Sequence, residues 1–168
     1  MTREIYTYPH WVLNTKTEPI ETCTEQIKEL AKDMHETMNK NKGIGLAASQ
    51  VGELYQLITV NIENEEESSG PITLLNPYIQ EKEGSREIEE ACLSLPGYHG
   101  KVKRASKIVV TGMDIQEQKQ EFQADGLLAV CLQHEIDHLN GITLLDHASK
   151  LKRSMYEKKI EKWSKSKN

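Results

Sequence analysis

The chain has 168 residues, 28% of them charged, and a formal net charge of −5. That length suits one domain with a sizeable core, and the acidic balance argues against general nucleic-acid binding. Three cysteines (Cys23, Cys92, Cys131) make no even disulfide framework, no apolar run is long enough to span a bilayer, and Met1-Thr2-Arg3-Glu4 lacks an apolar signal core, so a reduced, cytoplasmic setting is expected.

The first predicted element follows Thr24, a good N-cap: Ile27, Leu30, Ala31, Met34 and Met38 fall on one face of an amphipathic helix. Leu57–Ile62 and Ile72–Ile79 read as strands. The acidic stretch between them, Glu63 to Pro71, reads as a solvated loop because it lacks spaced cation ligands. Lys107–Ile115 and Gln120–Ala124 read as a second pair of strands, joined by a polar turn near Glu117. Asp125 is placed to cap a helix over Gly126–Leu139, which Asn140-Gly141 would end. Its apolar residues, Leu127, Leu128, Val130, Cys131, Leu132, Ile136 and Leu139, occupy nearly every side, the pattern of a core helix. From Lys150 to Asn168 there are eight Lys/Arg against two Glu, net +6, leaving −11 for the rest of the chain. Tyr156, Ile160 and Trp163, at i, i+4 and i+7, predict that this tail is a helix docked through one stripe, with its lysines in water. With no internal repeat and no linker, residues 1–168 read as a single α+β domain with a basic helical tail.

The core helix carries the most informative segment, His134-Glu135-Ile136-Asp137-His138. On a helix the two imidazoles lie one turn apart on the same face, about 6 Å along the axis, and can converge on one divalent ion. Glu135 is turned about 100° from His134, where it can flank the ion without binding it and take a proton from an attacking water. A pair of hydrogen-bonded core histidines is the plainer alternative. Four polar groups on one apolar helix would be costly unless paired or metal-bound, and the metal is preferred.

A tetrahedral ion needs at least one further protein ligand, and the candidates separate enzyme classes. A metzincin-type third histidine is ruled out because Leu144 occupies its position. A thermolysin-like glutamate leaves only Glu157 and Glu161, both in the lysine-rich tail. Cys131 lies about 10.5 Å from His138 along the helix axis, too far to share its ion, and reads as a core residue. Cys92, in Glu89-Glu90-Ala91-Cys92-Leu93-Ser94, is the better candidate. Beside acidic residues its thiol needs a metal or a buried positive group to ionise.

Three blocks in order, Gly43-Ile44-Gly45-Leu46-Ala47-Ala48-Ser49-Gln50, Glu90-Ala91-Cys92-Leu93-Ser94 and His134-Glu135-Ile136-Asp137-His138, together resemble the bacterial peptide deformylases. The resemblance spans nearly the whole chain. It implies small antiparallel β-sheets packed around a central metal-bearing α-helix, and a hydrolase that removes the N-formyl group from the formyl-methionine of nascent polypeptides, releasing formate. It implies Cys92, His134 and His138 as metal ligands, Glu135 as general base and then acid, and Gln50 with the Leu93 N–H as oxyanion donors. Backbone contacts to substrate would fall on Ile44 and Gly45, while Ile44, Ile88, Leu127, Val130 and Cys131 would line a pocket for the methionine side chain. The implied native ion is Fe2+, with Ni2+ or Co2+ as working substitutes and Zn2+ often bound; a Cys-His-His set is also ordinarily suited to zinc. The tail would contact ribosomal RNA. Ala91 departs from the family's usual glycine and would cost about 1 kcal/mol if the position required a positive φ. A zincin-like metallopeptidase remains the alternative.

Overall fold

In the computed structural model, which describes residues 1–166, Thr24 caps the first helix by accepting a hydrogen bond from Ile27 N at 3.3 Å. Helix α1 (Glu25–Lys40) buries Ile27, Leu30, Ala31, Met34 and Met38, the stripe its sequence spacing predicts. Seven strands follow: β1 (Gly45–Ala47), β2 (Leu57–Glu63), β3 (Ser68–Glu83), β4 (Arg86–Glu90), β5 (Gly100–Arg104), β6 (Lys107–Met113) and β7 (Lys119–Ala124). They form an antiparallel five-stranded sheet in the order β1-β2-β3-β6-β7 and a separate β4-β5 hairpin. The fold class is α+β, as expected.

Helix α2 (Gly126–Leu139) has the bounds its sequence suggests and packs across β1 and β2. Alternation along β2 explains how this helix is held. Ile58, Val60 and Ile62 join Ala129, Cys131, Leu132 and Leu139 of α2 in one core, while Leu57 turns toward Leu30, Met34 and Met38 of α1 in another. The strand is therefore covered on both faces, and α2 lies against its inner one. Gly141 ends the helix at φ +74, and a Cβ there would meet the backbone carbonyl carbon of Asn14 at 2.8 Å. A third core, Leu95, Tyr98, Val102, Leu144, Leu145 and Tyr156, seats helix α3 (Lys150–Ser166) against the segment that follows β4. Tyr156 is buried, Ile160 half-buried and Trp163 38% exposed, so the tail docks through the expected stripe. Its last two predicted residues, Lys167 and Asn168, lie outside the described residues.

Three expectations need correction. The loop between β2 and β3 is shorter than Glu63–Pro71, because β3 begins at Ser68 and Pro71 pairs with Asn61. Lys107–Ile115 ends as a strand at Met113. Asp125 precedes α2, but its side chain makes no cap hydrogen bond. Glu67 supplies one instead, accepting from Leu127 N at 2.6 Å. The acidic stretch is thus not wholly solvated; its last carboxylate stabilises the positive end of the core helix.

Candidate metal centre and active-site pocket

Helical geometry sets half of the site. One turn of α2 separates His134 from His138, and their Nε2 atoms stand 3.2 Å apart. The other half comes from the segment after β4, which places Cys92 Sγ 3.3 Å from His138 Nε2. All three donor atoms lie within 4.8 Å of one another. A tetrahedral ion with bonds of about 2.0–2.3 Å requires N–N and S–N edges of about 3.4 and 3.6 Å, close to this spacing. The donor set therefore fits a single divalent ion in size and chemistry. Among the described residues it is the one cluster of three potential ligands.

The rejected ligands sit elsewhere. Cys131 is in the core, its Sγ 3.6 Å from the Ile44 carbonyl oxygen, and burial pushes its thiol well above the usual range. Leu144 is buried beside Tyr156. Glu157 pairs with Arg153 at 3.0 Å and Glu161 with Lys165 at 3.2 Å, both on exposed parts of α3.

Behind the ligands lies a charged chain that no sequence motif announced as a unit. His134 Nδ1 meets Glu90 Oε1 at 3.0 Å, which leaves Nε2 free for an ion. Arg104 grips both oxygens of Glu90, at 2.9 and 3.0 Å, and donates from Nη1 to Asp137 Oδ2 at 2.6 Å. His147 Nε2 reaches the same Asp137 oxygen at 2.9 Å. Burial raises the pKa of Glu90, but hydrogen bonds from His134 and Arg104 outweigh it and hold the carboxyl below its usual range. The two imidazoles diverge. Burial works against charge on His134, yet hydrogen bonds with Cys92 and Glu90 carry it well above the ordinary histidine value. For His138, burial and the neighbouring His134 both push it well below. The only sequence sign of this chain was the cost of leaving Asp137 unpaired on an apolar helix. We expect Arg104→Leu to lower unfolding stability by about 3–5 kcal/mol, measured by urea denaturation, because it strips buried Glu90 of the guanidinium that binds both its oxygens.

The ligands open onto a pocket of about 370 Å³. Ile44, Gly45, Ile88, Leu127 and Val130 all line it, together with Gln50, Leu93, Cys131 and Glu135. Glu135 is buried, with Oε1 3.8 Å from His134 Nε2, and burial raises its pKa to about 7. Gln50 is oriented by its own turn: Oε1 accepts from Ala47 N at 2.9 Å, so Nε2 faces Ser94 Oγ at 3.1 Å and Cys92 Sγ at 3.6 Å. Gly45 is required by close approach. A Cβ there would lie 2.7 Å from Cys131 Sγ and 2.9 Å from Glu135 Oε1. At Gly43 the one overly close approach is to the flexible end of Leu93, at 2.9 Å, with Met38 at an ordinary 3.6 Å. Gly45→Ala is expected to displace Glu135 and reduce kcat about 10- to 100-fold in steady-state assays, whereas Gly43→Ala should be milder. Ala91 does not have a positive φ and its methyl group is exposed, so the anticipated backbone cost does not arise.

Comparison with known proteins places this geometry in context. Residues 2–154 match the polypeptide deformylase family. The chain is 46% identical over 158 residues to the peptide deformylase of Thermodesulfovibrio yellowstonii, covering 94% of this chain and 96% of that one. It is 42% identical over 160 residues to the peptide deformylase of Mesorhizobium japonicum, covering 95% and 91% respectively. Among solved structures, peptide deformylase from Ehrlichia chaffeensis superposes with a TM-score of 0.95 at 36% identity, covering 99% of each chain. The same enzyme in complex with actinonin gives 0.92 at 38%, covering 96% of each.

Proposed function

Because the chain belongs to the polypeptide deformylase family, we propose that Cys92, His134 and His138 hold its metal and that Glu135, Gln50 and Leu93 carry out its chemistry. The protein is a metal-dependent hydrolase that removes the N-formyl group of nascent polypeptides and releases formate. We read residues 1–168 as one catalytic domain. The observation that carries the assignment of residues is the convergence of a thiol and two imidazoles beside a buried carboxylate against one apolar pocket.

An ion held by Cys92, His134 and His138 would supply Lewis acidity and make an attacking water easier to deprotonate. The residues do the rest. Glu135 takes the proton from the attacking water and delivers it to the leaving amine. Gln50 Nε2 and the Leu93 N–H stabilise the oxyanion that develops on the formyl oxygen, and neither donor needs a charge. Glu90, bonded at Nδ1, fixes the ring of His134. The methionine side chain rests among Ile44, Ile88, Leu127 and Val130. Strand β1 is an edge of the large sheet and β4 has one unpaired side, and residues of both line the pocket. An extended peptide can therefore bind by adding to a strand edge, with main-chain hydrogen bonds that read no side chain.

The native ion in this reading is Fe2+, replaceable by Ni2+, Co2+ or Zn2+; rapid loss of activity in air, absent from a Ni2+-loaded sample, tests it. No helix among the described residues is long and apolar enough to cross a membrane. We place the enzyme in the cytoplasm, with the lysine-rich outer face of α3 against ribosomal RNA. Co-sedimentation with ribosomes that weakens steeply with salt supports that contact, and salt-independent binding opposes it. The decisive assay is formate release from formyl-methionyl peptides. Cleavage of internal peptide bonds in unformylated peptides would establish a metallopeptidase instead.

A further inference from the structure

We propose that His147 is a positioning residue for the metal centre, acting through Asp137, Arg104 and Glu90 on His134. The inference rests on the ligand assignment above and extends it to a side chain at the protein surface. The 3-10 turn Leu144–His147 is anchored before the histidine is reached: Leu144 and Leu145 are buried, Thr143 Oγ1 accepts from Leu145 N at 3.3 Å, and Asp146 Oδ2 accepts from Thr143 N at 2.8 Å. His147 therefore meets Asp137 from a fixed platform.

Asp137 needs that second contact. Its side chain is 24% exposed, so its pair with Arg104 is open to screening by solvent on that side. Asp137 Oδ2 accepts from both His147 Nε2 and Arg104 Nη1. Guanidinium is a rigid plane, so the direction of Nη1 sets the direction of the Nε/Nη2 edge that clasps Glu90. Glu90 Oε1 is in turn shared between Arg104 Nη2 and His134 Nδ1. Loosening Asp137 turns the fork and with it the ring that aims Nε2 at the ion.

The same chain joins the two halves of the site. Glu90 ends β4, two residues before Cys92, whereas Asp137 and His134 are on α2. Arg104, at the end of β5, binds both pieces from outside them, and Glu90 crosses directly to His134. An exposed Asp–His pair adds little to overall stability, so its effect should appear at the metal rather than in unfolding.

The test compares His147→Leu with His147→Gln, which retains a donor in place of Nε2, both loaded with Co2+. We expect His147→Leu to release Co2+ to a chelator about five to ten times faster than wild type, to shift the visible Co2+ bands, and to lower kcat with KM unchanged. His147→Gln should restore all three, and the melting point of the metal-free protein should be the same in both variants. Wild-type Co2+ release in His147→Leu, equal impairment of both variants, or a parallel drop in metal-free stability would each overturn the proposal. Failure of the wild type itself to hold Co2+ and release formate would instead refute the ligand assignment.

Discussion

Glu135→Gln is expected to reduce formate release by about a thousandfold while the protein keeps its metal. Glutamine copies the shape of the carboxylate but neither accepts nor delivers the proton, and the three proposed ligand atoms are untouched. The metal-free protein offers a second readout. Glu135 is 3% exposed, and its Oε2 has no hydrogen-bond partner among the described residues. Its folded pKa of about 7 lies above the ordinary 4.5 because burial penalises the charge. For a raised carboxyl, the folded state is favoured fully below pH 4.5, and this contribution is lost as pH rises through about 7. Glutamine has no proton to lose. Metal-free Glu135→Gln should therefore be more stable than wild type at pH 8, by on the order of a few kcal/mol, and no more stable at pH 4. Calorimetric melting at the two pH values checks this. Normal turnover in the variant would remove Glu135 from the mechanism.

Cys92→Ser is the complementary case, with the ion as its target. Serine is only slightly smaller than cysteine, and Cys92 sits at the edge of the Leu95, Tyr98 and Tyr156 core, so the fold should persist. It replaces a thiolate with a neutral hydroxyl, a poor ligand for the ions in question. Two imidazoles on one turn remain as a half-site. We expect metal affinity to fall by at least about a thousandfold in equilibrium dialysis against Ni2+, with formate release falling in step. Full metal occupancy and normal turnover in Cys92→Ser would remove this residue from the ligand set.

What the sequence made readable follows the range of the forces involved. The His134–His138 spacing could be read directly because helix periodicity is local, and the apolar stripes of α1 and α3 were visible for the same reason. The proposed third ligand was not readable that way. Cys92 is brought to the helix by tertiary structure, and motif resemblance singled it out. Strand β1 is only Gly45-Leu46-Ala47, with no β-branched or aromatic residue to signal it. Strands β4 and β5 are dominated by charge, and Ile88 and Val102, the one pair of β-branched apolar residues in them, face each other across the hairpin. The partners of Asp137 and the cap of α2 were hidden for a related reason. Arg104 and Glu67 arrive from 33 and 60 residues away, and such pairings depend on the three-dimensional path rather than on any local pattern.

Because the donors lie on separately anchored pieces, α2 and the segment after the β4 strand, an ion in the site also joins those pieces. Its binding energy then belongs to folding as well as to reactivity. Each tenfold rise in free metal above the dissociation constant adds about 1.4 kcal/mol to the stability of the folded chain. The population that resists unfolding thus follows the metal supply of its surroundings, and a chain starved of metal loses resistance to proteolysis along with its activity.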